Sequence, residues 1–365
     1  MPLFSKKTKQ SFLGVDFGMS GIKIVELLNE RGRARLVTYA YAEYPRGYAE
    51  RSPQDQISTA AALLKKMTDK ARITTKTSVA ALPVSSVFSS IISVPAANDK
   101  ELKDAINWQA KKLIPMPLEE ITLDSKVLDG FGAQEEAPKD PTKKEEKKKV
   151  TRVLLTGAPS ALVSSYVEIL TTAGLEPLAL ETEAFAQIRA LVGKDRSTVM
   201  LIDIGALRTN ITVVEKGIPF LSRSIASGGA SVTSTIAQTL GIPPTQAETM
   251  KRDIKAMQAF APTGDLSPIL QTLLKPILDE IKYSFNLYQG QMEAGQQKKI
   301  EKIIVTGGSG LLPRLPEFLT QLMNVNAYLG DPWARVVYPE DLRPVLEEIG
   351  SRFSVAIGCA MRDIE

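Results

Sequence analysis

The chain has 365 residues, enough for roughly two to three domains, with 44% hydrophobic and 24% charged residues, an ordinary globular balance. A net charge of +4 gives no strong global field toward nucleic acid or acidic lipid. There is no histidine, which removes the commonest general base, the usual zinc nitrogen ligand and every His-paired nucleophile.

Cys359 is the only cysteine, so an internal disulfide framework and a thiolate metal cluster are both excluded. Its surroundings, SVAIGCAM, predict a buried, inert thiol. No stretch reaches the ~18 consecutive apolar residues of a transmembrane helix. The basic start, MPLFSKKTKQ, passes straight into strand-like sequence without a secretory core, so a cytoplasmic protein is expected.

The first element is a hairpin, LGVDFGMSGIKIVEL, in which an apolar strand ends in Asp16, Gly18 follows two positions later, and a second apolar strand leaves a short polar loop. NERG is the next turn, and RARLVTYAYAEYP is a third strand closed by Pro45. The layout returns far downstream. LIDIGALRTNITVVE gives a strand ending in Asp203, Gly205 and a second strand, EKG is the turn, and IPFLSRSIA is the third strand. Matching strands and turns indicate an internal duplication and two homologous lobes.

Between the copies, SVAALPVSSVFSSIISVP (78–95) reads as strand, and NDKELKDAINWQAKKLIP as a helix with Asn98 and Glu101 spaced as a capping box. Leu102, Ile106 and Leu113 are expected on one face of that helix, which Pro115 ends. ITLDSKVLDGF and KVTRVLLTGAP form a strand pair around a Lys/Glu-rich loop (133–149), and PSALVSSYVEILTTAGLEP is a helix stopped by Gly174 and Pro177. An α/β subdomain inserted at about 78–178 is the simplest account. The Lys/Glu run from Glu135 to Lys149 holds six Lys against five acidic residues and no aromatics, so it predicts a solvated loop, not a nucleic-acid surface.

The chemistry is expected in the paired loops. In the first, Gly18 and Gly21 let backbone N–H groups approach an anion, flanked by Met19; Ser20 adds a hydroxyl and Lys23 a point charge for a β- or γ-phosphate. Asp16 at the strand end suits a hydrated Mg²⁺. In the second, Asp203 would face the same ion, Gly205 allows close approach, and Thr209 and Asn210 are donors. Either loop alone is weak, because Asp-x-Gly commonly marks only a turn. Together they suggest one polyphosphate held between two lobes.

IIVTGGSGLLPRLPEFL adds a strand ending in Gly307 and Gly308, with a helix expected near Leu311 or Pro313. Gly307, Gly308, Ser309 and Leu311 could offer a flat surface and N–H groups to adenine or phosphate, or be an ordinary glycine-rich turn. Gly228 and Gly229 precede another helix. Glu248 and Lys251, at i and i+3, could hold ribose and base or form a surface ion pair. No P-loop is present, since G-x-x-x-x-G-K-[ST] does not occur.

This order of two Asp hairpins and a late TGGSGLLP resembles the actin-like ATPase superfamily: Asp16, Gly18 and Lys23 match its first loop, Gly205 and Thr209 its second. Within it, FLGVDFGMSGIKIVEL, ELKDAINWQAKKLIPMPLEEITLD, AGLEPLALETEAFA and RSIASGGASVTSTIAQTLGI resemble the PilM family of type IV pilus assembly proteins, and secondarily FtsA. The likeness runs through nearly the whole chain.

The resemblance implies an α/β, actin-like (ribonuclease H-like) duplicated two-lobe fold with subdomains 1A, 1C, 2A and 2B and ATP (or ADP) with Mg²⁺ in the cleft. The expected division is 1–77 for the first part of 1A, 78–178 for 1C, 179–196 for a connecting helix, 197–227 and 301–344 for 2A, 228–300 for 2B, and 345–365 for a helix returning to 1A. It also implies a partner, the cytoplasmic N-terminal peptide of a PilN-like inner-membrane protein, together with other pilus platform and motor proteins. The protein would then sit in the cytoplasm against the inner face of the inner membrane through these partners, with self-association open.

Glu183 occupies the connecting-helix position from which superfamily enzymes position the attacking water; an acid stabilised at a helix start is the other reading. Ala206 stands where hydrolytic relatives often have a second acid, which predicts ATP binding with at most slow hydrolysis. Two other functions are weighed: an FtsA-like filament-forming ATPase and a small-molecule kinase. The chain stops at CAMRDIE, directly after the small-residue helix, so the linker and membrane helix of FtsA are not expected. No substrate-facing catalytic carboxylate is visible for a kinase. A nucleotide-switched adaptor is the expectation.

Overall fold

A computed structural model describes residues 10–95, 99–128, 150–253, 267–293 and 296–364. The Asn98 half of the expected capping box and the Lys/Glu loop at 133–149 lie outside the described residues. Two compact units divide the chain: residues 86–165 form one, and the segments before and after form the other.

In the larger unit β1 (Ser11–Phe17), β2 (Gly21–Glu30) and β3 (Arg33–Glu43) are an antiparallel meander. Helix α1 (Pro53–Ala71) starts where Ser52 Oγ accepts the Asp55 N–H and Pro53 supplies a preset φ, and it ends at Arg72 in the left-handed region. β4 (Thr77–Leu82) then pairs parallel with β1. The 78–95 stretch, expected as one strand, is broken after Leu82. Pro83 cannot donate to a ladder, and Val84–Ser86 form a short 3₁₀ turn. Its second half is β5 (Phe88–Pro95), in the smaller unit.

That unit holds α2 (Asp99–Leu113), β6 (Ile121–Val127) and β7 (Val150–Pro159), with strand order β5-β7-β6, all antiparallel. Its core joins Ile92, Val94, Val153 and Leu155 to Ile106, Ala110 and Ile114. The helix therefore buries the i, i+4, i+8 stripe from Ile106. Leu102 packs at its margin, whereas Leu113, expected on the core face, is exposed, and Ile114 just past the helix end takes the core position instead.

Returning through α3 (Ser160–Thr172), which Gly174 terminates at φ +85°, the chain adds β8 (Glu176–Thr182) parallel to β4. Thr182 caps α4 (Glu183–Gln187), which runs into a single π turn, Ile188–Val192. The second meander follows as β9 (Val199–Ile204), β10 (Thr209–Glu215) and β11 (Ile218–Ile225). Next come α5 (Gly229–Leu240), α6 (Pro244–Arg252), α7 (Ser267–Leu273), α8 (Lys275–Gln289) and the two-residue strands β12 (Met292–Glu293) and β13 (Gln296–Gln297).

β14 (Lys302–Thr306) runs parallel to β9. The helix expected near 311 or 313 begins later. Gly308–Leu311 is a 3₁₀ turn, Arg314 is left-handed, and α9 (Leu315–Met323) starts beyond it. β15 (Ala327–Leu329), β16 (Val336–Val337), α10 (Arg343–Ile349) and α11 (Ser354–Ala360) complete the chain.

The two principal sheets share one plan. The first runs β16-β3-β2-β1-β4-β8 and the second β11-β10-β9-β14-β15, so β3-β2-β1-β4-β8 maps strand for strand onto β11-β10-β9-β14-β15. Both central strands are apolar on both faces because helices cover both faces. In the second sheet, Met200 and Ile202 pack toward α5, α7 and α8, while Val199 and Leu201 pack against the π turn through Ile188 and Val192. In the first, α11 lies on β1 so closely that a Cβ on Gly14 would fall 1.9 Å from Ala356 O. Cys359 is buried in this helix between Val79, Ala81 and Ala186.

Candidate functional site

Strand pairing sets the site. In the first hairpin Asp16 is opposite Lys23, and in the second Asp203 is opposite Asn210, so the duplication makes Lys23 and Asn210 equivalent positions. Lys23 Nζ donates to Asp16 Oδ2 at 2.8 Å. Gln187 Nε2, on α4, donates to Asp203 Oδ2 at 2.7 Å. The strands beside the two aspartates also correspond: β4 places Ala81 next to Asp16, β14 places Thr306 next to Asp203, and each is followed by a 3₁₀ turn. Gly307, at φ +84°, has no alternative: a Cβ there would meet Asp203 Oδ1 at 2.3 Å.

These ends line one cleft of about 730 Å³ within the larger unit. From the first hairpin it takes Asp16, Gly18, Met19, Ser20 and Lys23, and from the second Asp203, Gly205 and Asn210. Glu183, Gly229, Glu248 and Lys251 join them, as do Gly307, Gly308, Ser309 and Leu311.

Three expected residues do not line it. Thr209 is fully buried and its hydroxyl donates to Ser227 O at 2.7 Å, because register turns that side chain inward. Gly21 serves strand packing, since a Cβ would lie 2.2 Å from Ala42 O. Gly228 is the N-cap of α5, pressed on the second loop with a would-be Cβ 2.7 Å from Gly205 O, and Gly229 is the first residue inside that helix.

Glu183 begins α4, its Oε2 accepting the Val84 N–H and the Asn210 side-chain amide, each at 3.0 Å. It thereby ties the turn after β4 to the second hairpin. Burial, reinforced by the charge of Asp16, pushes its carboxyl up to about 8. Asp203 is raised to about 6, mainly by burial, with the Gln187 hydrogen bond opposing and Asp16 adding. Burial alone would lower Lys23; the charge and hydrogen bond of Asp16, with the charge of Asp203, outweigh it and raise the ammonium.

Glu248 and Lys251 are more than a surface pair. Lys251 is buried and donates to Glu248 Oε2 at 2.6 Å, Thr233 Oγ1 at 2.9 Å and Gly229 O at 3.1 Å. Burial lowers the Lys251 ammonium. Burial would raise Glu248, but hydrogen bonds from Lys251, Thr233 and Arg252 outweigh it and hold the carboxyl at about 2. The pair thus clamps α6 onto the start of α5.

A family model described as type IV pilus assembly protein PilM matches residues 14–364. The chain belongs to this family. Among solved structures, a chain of the PilM-PilN type IV pilus biogenesis complex is 25% identical with a TM-score of 0.77, covering 97% of this chain and 98% of that one. The ethanolamine utilization protein EutJ from Carboxydothermus hydrogenoformans is 16% identical with a TM-score of 0.53, over 99% of this chain and 91% of that one, a likeness of fold alone. With the matched sheets, this fixes the architecture as the actin-like, duplicated two-lobe fold.

For this member of the PilM family the structure adds residues that sequence reasoning missed: Gln187, which is buried and holds Asp203, and the cleft-lining Arg208, Arg252 and Arg352. Two of them carried a local signal. Gln187 lies four residues after Glu183 on one helix, and Arg252 four after Glu248. Arg352 carried none, being brought in from a distant 3₁₀ turn, Gly350–Arg352. Among the described residues no helix is long and apolar enough to cross a membrane.

Proposed function

We propose that this chain binds ATP with Mg²⁺ in the cleft and acts as a nucleotide-dependent adaptor in type IV pilus assembly. The observation that carries the reading is the convergence of the duplicated strand ends, Asp16 and Asp203, on one cavity. The buried Oδ1 of Asn210, the residue facing Asp203, has no hydrogen-bond partner there. A buried acceptor left unpaired is costly, and a cation's water shell would satisfy it.

The donor set fits a hydrated Mg²⁺. Asp16 and Asp203 would hold it, and no cluster of three or more acidic or thiol ligands able to cage a metal occurs among the described residues. Mg²⁺ keeps several waters and takes few protein carboxylates when it accompanies phosphates. Bound there, the ion would neutralise phosphate charge. Lys23, Ser20 and the backbone around Gly18 and Gly205 would meet the phosphates. Gly229, Glu248, Lys251, Gly307, Gly308, Ser309 and Leu311 would meet the nucleoside.

Hydrolysis is proposed to be slow at most. Burial, with the nearby Asp16 charge, raises the carboxyl of Glu183, the residue proposed to position water, and so disfavours its ionised form. Ala206 lines the cleft without supplying a second acid. The unit at 86–165 corresponds to subdomain 1C in this proposal, and the α5–α8 region to 2B. The partner is the N-terminal cytoplasmic peptide of a PilN-like inner-membrane protein, supported by the solved relative in the PilM-PilN type IV pilus biogenesis complex. That partner would hold the protein at the cytoplasmic face of the inner membrane.

Calorimetry tests the reading. Wild type is expected to bind Mg-ATP, and Asp16→Ala, Lys23→Ala and Asp203→Ala to weaken it by roughly tenfold or more each, the scale of losing a charge-assisted contact. Unchanged affinity in all three would overturn the site. Titration of the PilN-like peptide with and without ATP tests the adaptor role, for which tighter peptide binding in ATP is expected.

A further inference from the structure

The nucleotide reading leaves one wall of the cleft without a task. Phe17, Pro83, Ser85 and Tyr166 line it, beside Asp16 and Glu183. All come from the first half of the duplication, whereas the turn Gly308–Leu311, proposed to meet the nucleoside, belongs to the second. The chain leaves the larger unit after Ser85 and returns to it at Tyr166, so both ends of that excursion touch the same cavity.

Helix periodicity places Tyr166 there. It shares the buried face of α3 with Ile169 and Leu170, at i, i+3 and i+4. Its ring meets Phe17 edge-on, with centroids 5.0 Å apart and planes at 74°. Phe17 directly follows Asp16 on β1, so the tyrosine is tied to the strand end that carries a proposed Mg²⁺ ligand. The residue is only 8% exposed. Among the described residues its hydroxyl has no hydrogen-bond partner, yet that oxygen is not among the fully buried orphan atoms. The ring is therefore packed away while its polar tip opens on the cleft.

A buried tyrosine ordinarily finds a partner for its O–H. Burial, with the nearby charges of Glu183 and Asp16, raises this phenol and keeps it a donor. An anion delivered by the ligand suits it. With Lys23 and Ser20 at the phosphate chain, the part of a nucleotide that continues past Asp16 toward this wall is the terminal phosphate.

We infer that Tyr166 recognises the terminal phosphate, its hydroxyl donating to a γ-phosphate oxygen, so that the cleft distinguishes a nucleoside triphosphate from a diphosphate. This rests on the nucleotide reading above. It adds a specificity-determining residue that neither hairpin supplies, at the point where the chain re-enters the larger unit.

The test is calorimetry with Mg-ATP and Mg-ADP on wild type, Tyr166→Phe and Lys23→Ala. Tyr166→Phe removes one hydroxyl and keeps the ring against Phe17. It is expected to lose about tenfold for ATP, the scale of one hydrogen bond to a charged acceptor, and to bind ADP as wild type does. Lys23→Ala is expected to weaken both nucleotides, which separates general phosphate attraction from reading the third phosphate. Because the hydroxyl is unpartnered without ligand, the melting midpoint of unliganded Tyr166→Phe should match wild type. A clearly lower midpoint would overturn the inference by showing that the hydroxyl is spent inside the fold. Wild-type affinity for ATP in Tyr166→Phe, or an equal loss for ADP, would overturn the inference alone. Wild type that binds neither nucleotide would overturn the nucleotide reading and this inference with it.

Discussion

At the scale of residues, the duplicated hairpins are alike in backbone and different in charge. The position that carries Lys23 in one carries Asn210 in the other, and this decides what each aspartate meets. Asp16 accepts a hydrogen bond from a cation 2.8 Å away, whereas Asp203 accepts from the neutral Gln187, feels the Lys23 charge without a hydrogen bond, and is left with a carboxyl raised mainly by burial. Glu183 is the more perturbed, moving from 4.5 to about 8 through burial and the nearby Asp16 charge. Between those values the native state keeps a proton that the unfolded chain has already released, so the group's stabilising effect is full below 4.5 and is lost as pH rises through about 8. Glu183→Gln keeps the neutral form at every pH. It is expected to flatten the unliganded stability profile across that window, by up to about 1.4 kcal/mol per pH unit. Urea unfolding at a series of pH values checks this, and an unaltered slope in the variant would show that Glu183 titrates elsewhere.

At the scale of elements, the site depends on close backbone packing around α11. This short helix of small residues lies between β1 and α4. A Cβ on Gly358 would fall 1.9 Å from Ala186 O, and one on Gly14 equally near Ala356 O. Both obstacles are backbone, which cannot swing aside as a flexible side chain can. Gly358→Ala is therefore expected to cost about 3 kcal/mol, the upper end for overpacking. Gly174→Ala, at φ +85° with nothing within 4 Å, should cost only the roughly 1–2 kcal/mol of left-handed strain. Denaturant midpoints of the two variants compare them, and equal losses would mean that crowding is relieved by movement of α11. The same helix begins at Ser354, whose hydroxyl lies 3.4 Å from Gln187 Nε2, so α11, α4 and Asp203 form one chain of contacts.

At the scale of the whole molecule, the proposed ligand should couple to stability, since a nucleotide held by both hairpins binds the folded state alone. At ATP concentrations about a hundredfold above Kd, Mg-ATP is expected to stabilise the protein by roughly 2.7 kcal/mol. Differential scanning fluorimetry should show a raised melting midpoint that shrinks when a chelator removes the metal. A shift that survives chelation would count against a role for Asp16 and Asp203 in holding Mg²⁺. The proposed adaptor function needs such coupling, because a ligand can bias a surface only through differential affinity for the states that present it.

The sequence by itself determined the strands, the duplication and most of the cleft. Alternating strands and turn glycines are local patterns, and an aspartate at a strand end keeps its place whatever packs around it. That is why Asp16, Lys23, Asp203, Asn210 and the Gly307–Gly308 turn were legible together. Only tertiary structure decided which way individual side chains face and which distant segments arrive. Thr209 matched a motif, yet register turned its hydroxyl into the protein to meet Ser227 O. The apolar run at 78–95 looked continuous, yet Pro83 split it between two units. Arg352 could not be read at all: its place in the cleft wall rests on Ser351 bonding to the end of β14 across 45 residues, and a contact of that kind is fixed by packing, not by local pattern.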